Sequence, residues 1–310
     1  MRINDAYAAA GEVDPAPGSG PSEPGALEHL RWVVAAFETA QRERLRTEER
    51  IRSALRAGAL SAGAAAYGLE HARARAEETR AQRLMRECIE AHPAWPWLAG
   101  VRGLGHTLAG RLLARLDVTR APHPSSFWAY CGLSTVPGAT WRCDVCGLSV
   151  ERAVDRAGGG GHRGSDGVPC VGTLRPATGG GRVAQPRPRR GESSPYDREA
   201  KALCYLVGAS FARQGGAYRD YLEEQMGRLQ LERPDWPARR RQLTAQRKTV
   251  KLFLTHLWLV WRGALGLPLT RPHAPGDGQG AAPPSPWSMV EGAPRAGPPA
   301  RRPHAPPLKR

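Results

Sequence analysis

The uneven distribution of glycine and proline constrains this chain more than any other feature. Residues 1–24, 157–191 and 263–310 hold 41 of its 64 Gly and Pro residues within 107 of its 310 positions. Such segments bury too little apolar surface to offset the entropy of ordering them, so the sequence predicts them disordered or irregular. Two blocks remain, 25–156 and 192–262, about 200 residues and enough to enclose a core. Helical periodicity runs through both, and nothing reads as an alternating strand outside 140–185. The predicted fold class is mainly α. A long helical hairpin or coiled-coil arm (25–91) leads into a helical domain split as 92–140 and 192–268. A Cys/Gly-rich insert (141–191) interrupts that domain, and residues 1–24 and 269–310 are expected as disordered tails, the latter Pro-rich and basic.

Charge narrows the function classes. Lys and Arg number 45 against 29 Asp and Glu, a formal net charge of +16 with a pI near 10.4. That excess points to a polyanionic partner, nucleic acid before a membrane surface. The competing explanation is arginine enrichment through codon bias alone. No run of 18 uncharged apolar residues exists, because His256 and Arg262 interrupt the richest stretch, Leu252–Leu269. The N-terminus lacks the apolar centre of a secretory signal. The expected setting is cytoplasmic and nucleoid-associated, with no membrane partner. Six cysteines, two as Cys143-x-x-Cys146, do not make a disulfide framework.

In the arm, Leu27, Leu30, Val34, Phe37, Ile51 and Leu55 form a near-heptad stripe, with Gln41, Arg44 and Glu48 in its middle. Gly58 and Gly63 separate it from an Ala-rich second helix. The coiled-coil reading predicts a homo-oligomer through 25–91; the alternative is a solvated helix pair packed on the core. Ser125 or Ser126 is the expected N-cap of a short helix after Pro124. Ser194, followed by Pro195 and Asp197, reads as the start of another helix, which Gly215-Gly216 stop.

The most informative segment is Leu98–Leu113. Leu98 and Val101 finish one helix, Gly103-Leu104-Gly105 reverses the chain, and a second helix begins at once with Ala109, Leu112 and Leu113 inward. This is the spacing of a helix-hairpin-helix; a plain helical turn is the alternative. Glycine supplies positive φ and lets backbone approach a phosphate. The amides of Gly105, His106 and Thr107 would project from a helix N-terminus, with Arg102 and Arg111 adding charge on either side. Such contacts read phosphate rather than base sequence. In the last helix Arg240, Thr244, Arg247, Lys251 and Thr255 recur on one face, beside Lys248 and mostly opposite Val250, Phe253, Leu254, Leu257, Trp258 and Trp261. The basic residues of this face join the expected nucleic-acid contacts, against the alternative of a solvated helix face.

Cys143-Asp-Val-Cys146-Gly has the form of a zinc knuckle. A second Cys pair is missing, because Gly167 stands three before Cys170. The candidate ligand set for a structural zinc is therefore Cys143, Cys146, His162 and Cys170, which makes the Gly-rich insert zinc-ribbon-like; a degenerate knuckle with free thiols is the alternative. No P-loop, nucleophile elbow or His-Glu-x-x-His is present, nor a set of acidic residues suited to a metal-dependent nuclease.

Four segments, GVRGLGHTLAGRLLARLD, FWAYCGL, SPYDREAKALCYLVG and RKTVKLFLTHLWLVWRGALGLP, occur in an order similar to the C-terminal domain of Piv-like insertion-sequence transposases, the bridge-RNA-guided recombinases. The resemblance covers roughly 95–135 and 193–268. It implies a DNA-binding, strand-transferring protein of a mobile element, oligomeric, with DNA and structured RNA as partners. The family's N-terminal RuvC-like domain and its acidic metal site have no counterpart here, so magnesium enters only with a RuvC-like partner domain. The family's nucleophilic serine lies in a Ser-Gly dipeptide after the Gly-Leu motif. Here Gly132-Leu133 is followed by Ser134-Thr135, leaving Ser134, Ser193 and Ser194 as catalytic candidates. The alternative function is a non-catalytic DNA- or RNA-binding protein derived from that domain.

Overall fold

The computed structural model describes residues 25–58, 64–154, 162–164, 167–270 and 284–291. The fold is mainly α. Its helices are α1 (Ala26–Arg56), α2 (Ala64–Glu90), α3 (Trp95–Leu98), α4 (His106–Arg115), α5 (Pro124–Tyr130), α6 (Arg198–Gln214), α7 (Ala217–Glu232) and α8 (Ala238–Ala264). Two small antiparallel sheets fall between α5 and α6. Expected disorder at 1–24 lies outside the described residues.

Helices α1 and α2 pair antiparallel. The polar interruption of the α1 stripe is used inside the hairpin: Gln41 Nε2 donates to Glu78 at 3.2 Å, Arg44 pairs with Glu78 and Glu48, and Glu48 meets His71 Nε2 at 3.2 Å. Closer to the domain, Leu30, Val33, Val34 and Phe37 of α1 and Met85 and Ile89 of α2 are buried in the main core. The base of the arm is thus part of the domain rather than a free coiled coil. Helix α4 approaches α2 most closely at Gly110, where a Cβ would lie 2.6 Å from Ile89 Cδ1. Ala109, expected inward, is fully buried, and its neighbour Gly110 makes the close contact possible.

Helix α8 runs through the centre. Val250, Phe253, Leu254, Leu257, Trp258 and Trp261 are all buried, as its apolar pattern predicts. Trp258 Nε1 donates to the Ala121 carbonyl at 2.7 Å, and Arg262 donates to the carbonyls of Val118, Ala121 and Pro268. These bonds tie the loop after α4 to the exit of α8 and satisfy the carbonyls of Val118, Ala121 and Pro268.

Several expectations are corrected. The tail from 269 was expected disordered throughout, but residues 284–291 form a strap containing a 3₁₀ turn (Pro286–Met289) that packs on the core. Three features hold it: Trp97 Nε1 donates to Pro286 O at 2.9 Å, His256 Nε2 donates to Pro284 O at 2.9 Å, and Met289 is buried. Buried donors on the helices need acceptors, and the strap supplies them. Helix α6 is capped by Asp197, whose side chain accepts from Ala200 N, so Ser194 and Pro195 lie before the helix. His123, not Ser125 or Ser126, occupies the N-cap position of α5, with Pro124 opening the helix. The stretch 157–191 was expected disordered or irregular, yet β5 (Leu174–Ala184) lies within it and pairs with β1 (Thr135–Cys143), which also pairs with β2 (Ser149–Ala153), in the order β2-β1-β5; β1 begins inside the segment assigned to the helical half. The Gly179–Gly181 run lies within β5, held by its ladder to β1.

Two histidines, the half-buried His92 and the buried His256, give the core a pH dependence. His92 and His256 are both held at about 4, in each case by burial, which the Pro284 carbonyl partly offsets at His256. The His256 ring accepts from Tyr218 Oη at Nδ1 (2.8 Å) because its Nε2–H is spent on Pro284. Between about pH 6.5 and 4 the unfolded imidazoles bind protons that the folded ones refuse, so stability falls as pH falls through that window. The expected loss is of order 3 kcal/mol per histidine by pH 4. Thermal melts from pH 7.5 to 4.5 should show a steep fall in Tm; a flat profile would contradict it.

Candidate metal centre and nucleic-acid interface

The Gly-x-Gly turn joins the four-residue α3, through Ala99–Gly105, to α4. Gly103 has φ +89, a conformation that favours glycine, and its carbonyl accepts from Ser210 Oγ at 2.6 Å. Val101, Leu104, Leu112 and Leu113 are buried as the hairpin frame requires. Gly105 differs from Gly103: its backbone is extended, at φ −77 and ψ 168, and it is the N-cap of α4. A Cβ there would meet nothing within 4 Å. The backbone amides of Gly105, His106 and Thr107 have no hydrogen-bond acceptor among the described residues. They are the first amides at the N-terminus of α4, where Gly105 is exposed and His106 and Thr107 are half-buried.

The charged side chains around this turn are differently disposed. Arg102 is exposed and pairs with Glu291 of the strap at 3.1 Å. His106 packs against Trp95 with ring centroids 4.5 Å apart and the rings tilted by 38°, and its Nε2 meets Glu90 at 3.0 Å, with Arg86 also beside Glu90. Arg111 turns away from the amides: its Nε donates to Glu38 of α1 at 2.8 Å, where Arg115 also pairs. Arg111 therefore braces the arm against α4.

The face expected along α8 divides in two. Arg240 is paired with Glu151 of β2 at 2.6 Å and lies over the Trp236 ring at 3.8 Å. Thr255 is buried and its hydroxyl donates to the Lys251 carbonyl. Arg247, Lys248 and Lys251 make no ion pair among the described residues. Burial lowers Arg247, and Lys251 falls to about 8 through burial first and then through the charges of Arg247 and Arg182. Sequence reasoning missed Arg182, which sits in the Gly-rich stretch with no periodicity to mark it.

In the insert, the ligand atoms of Cys143, Cys146, His162 and Cys170 all lie within 4.8 Å of one another. Cys143 Sγ and Cys170 Sγ are 3.8 Å apart, and Cys146 Sγ is 3.3 Å from His162 Nε2. Thiolates at about 2.3 Å from a tetrahedral zinc would stand about 3.8 Å apart. Gly147 at φ +68 closes the knuckle. The amides of Val145 and Cys146 point at Cys143 Sγ and that of Gly172 at Cys170 Sγ. The β3 (His162–Arg163) and β4 (Pro169–Cys170) hairpin sets His162 directly opposite Cys170, which replaces the missing second Cys pair. Gly172 lets this half approach, since a Cβ there would be 2.5 Å from Cys143 Sγ. Desolvation pushes the Cys143 thiol up, but the amides of Cys146 and Val145 and the neighbouring thiols outweigh it and hold it at about 6. Asp144 fixes the rim, accepting from Thr173 N at 2.8 Å and pairing with Arg175. The four residues form a group with the donor chemistry to hold a metal such as zinc.

The catalytic candidates are scattered. Ser194 Oγ donates to Tyr196 O at 2.6 Å, a local turn; Ser193 is exposed and Ser134 half-buried. None of the three has a hydrogen bond from its hydroxyl to a histidine or carboxylate among the described residues. Among those residues, no other group of three or more His, Cys, Asp and Glu side chains converges as a metal site would require. No protein-family model matches this sequence, and no curated protein matches it.

Proposed function

We propose that this chain is a DNA-binding protein of the transposase kind that grips backbone phosphates at the α3–α4 turn. The observation that carries the reading is the set of unclaimed amides at Gly105, His106 and Thr107, beside an exposed Arg102 whose partner Glu291 is also exposed. A phosphate there gains helix-dipole and hydrogen-bond stabilisation without displacing a buried contact. The zinc reading of the insert belongs to the same proposal. Cys143, Cys146, His162 and Cys170 hold the ion, which ties three separated segments of a thinly cored module together. Homo-oligomerisation through the arm is supported by Trp32, Leu45, Leu55 and Leu69, which leave 51–71% of their surface exposed on α1 and α2.

The test is fluorescence anisotropy with duplex, branched and single-stranded DNA and with structured RNA, each titrated with salt. Duplex or branched DNA should bind most tightly and weaken steeply with salt. Stronger binding to structured RNA would favour the RNA-binding reading, and no salt-dependent binding to any of them would end the proposal. The chain alone with magnesium is expected to leave plasmid DNA intact, since neither serine–base pairs nor converging carboxylates are present among the described residues. Reproducible cleavage, lost on replacing Ser134, Ser193 or Ser194 by alanine, would contradict that expectation.

A further inference from the structure

Ion pairs engage many but not all of the cations of this protein. Arg44, Arg111, Arg115, Arg219, Arg228 and Arg240 each meet a carboxylate. Arg182 of β5 and Arg247 and Lys251 of α8 meet none among the described residues, although Arg247 and Lys251 are half-buried. Two of the three heads are also held in place. Arg182 Nε donates to Thr135 Oγ1 at 2.8 Å, and a second nitrogen of the same guanidinium donates to the Thr135 carbonyl, leaving the rest of the fork free. Lys251 Nζ lies 4.9 Å from the centre of the Trp128 ring, and Trp128 is fixed by its Nε1 donating to the Lys251 carbonyl at 3.1 Å. Arg247 stands one helical turn before Lys251 on the same face.

We propose that Arg182, Arg247 and Lys251 form a phosphate-binding site between β5 and α8, separate from the α3–α4 turn. Three fixed or half-buried cations without a counter-charge repel one another and lose hydration, and a polyanionic oxygen cluster relieves both costs. A phosphate group presents several oxygens to such a set, and a guanidinium fork with an ammonium is the donor combination that suits it. The two anchors are neighbours: the carbonyl of Trp128, whose ring lies under Lys251, accepts from Leu133 N at 2.8 Å, two residues before the Thr135 that holds Arg182, and the charges of Arg247 and Arg182 in turn lower Lys251. Arg240, on the same helix but paired with Glu151, is the internal contrast. The oxyanion has two sources, a phosphodiester strand or a free phosphate compound. Only the first rests on the nucleic-acid reading above.

The test is isothermal titration calorimetry of the full chain with inorganic pyrophosphate, in low-salt buffer free of phosphate at pH 7. Wild type should bind saturably at one site. Arg182→Gln and Lys251→Gln should each weaken binding by about tenfold or more, while Lys251→Arg and Arg240→Gln bind as wild type does. Should Arg182→Gln disturb the strand by freeing Thr135, Lys251→Gln carries the comparison, because only its stem packs on Trp128. Absence of saturable binding to wild type, or undiminished binding by Lys251→Gln, would overturn the site. A second arm separates the sources: pyrophosphate that displaces labelled duplex DNA identifies a strand as the occupant. Pyrophosphate that binds without any competition upholds the site with a free phosphate as its occupant, and removes this face from the nucleic-acid interface.

Discussion

Gly105→Glu should weaken duplex DNA binding about 100-fold while leaving Tm close to that of wild type. Position 105 is extended and its Cβ direction is open, so a side chain fits without strain. The introduced carboxylate would itself occupy the N-terminus of α4, where a negative charge stabilises a helix by about 0.3–1 kcal/mol. That gain offsets the few tenths of a kcal/mol lost with glycine at the N-cap. For a phosphate the same carboxylate is both competitor and repellent. Losing two or three charge-assisted hydrogen bonds costs about 3 kcal/mol, which is about 100-fold in affinity. Gly103→Val is the contrasting variant. Gly103 has φ +89, and its Cβ would press on Gln214 Cβ and Ser210 Oγ at 3.3 Å. That substitution strains the turn by about 1–3 kcal/mol and reports on folding rather than on the ligand. Wild-type affinity in a folded Gly105→Glu protein would remove the turn from the interface.

Cys143→Ser is expected to abolish metal content and melt the insert, the second large effect. Among the described residues the sheet's own cluster is Trp141, Cys143 and Leu174, with the partly buried Ala139, Leu148, Val150 and Cys170 against them, too small to hold a module in place unaided. Structural zinc contributes about 10–16 kcal/mol in comparable small sites. Elemental analysis should find one zinc per wild-type chain and none in the variant. The near-UV signal of Trp141 should collapse, while far-UV helicity persists because the helical core is a separate cluster. Unchanged zinc content in Cys143→Ser would refute the ligand set.

Much of the helical frame was legible in the sequence because its signal is local. The α1, α4 and α8 faces follow from 3.6-residue spacing, and the stop at Gly215-Gly216 appears as two positive-φ glycines. The strands were less legible. β5 includes Gly179–Gly181, which carry no side-chain pattern, and its place is set by a ladder to β1 some 40 residues earlier. The same non-local register brings His162 opposite Cys170, so a ligand set the sequence offered by elimination acquires a geometric reason. The strap at 284–291 escaped because its role is to satisfy Trp97 and His256, which are distant in sequence. Arg111 and Arg240 show the limit of charge reading: spacing places a cation on a face, while tertiary contacts with Glu38 and Glu151 decide whether it is available. Arg182 shows the converse, a site residue in a stretch with no pattern.

The most direct test of the central claim is an NMR titration of ¹⁵N-labelled protein with duplex DNA. The amide resonances of Gly105, His106 and Thr107 should shift progressively on adding DNA and return as salt is raised. Shifts confined to other surfaces, with those three amides unmoved at saturation, would contradict the account.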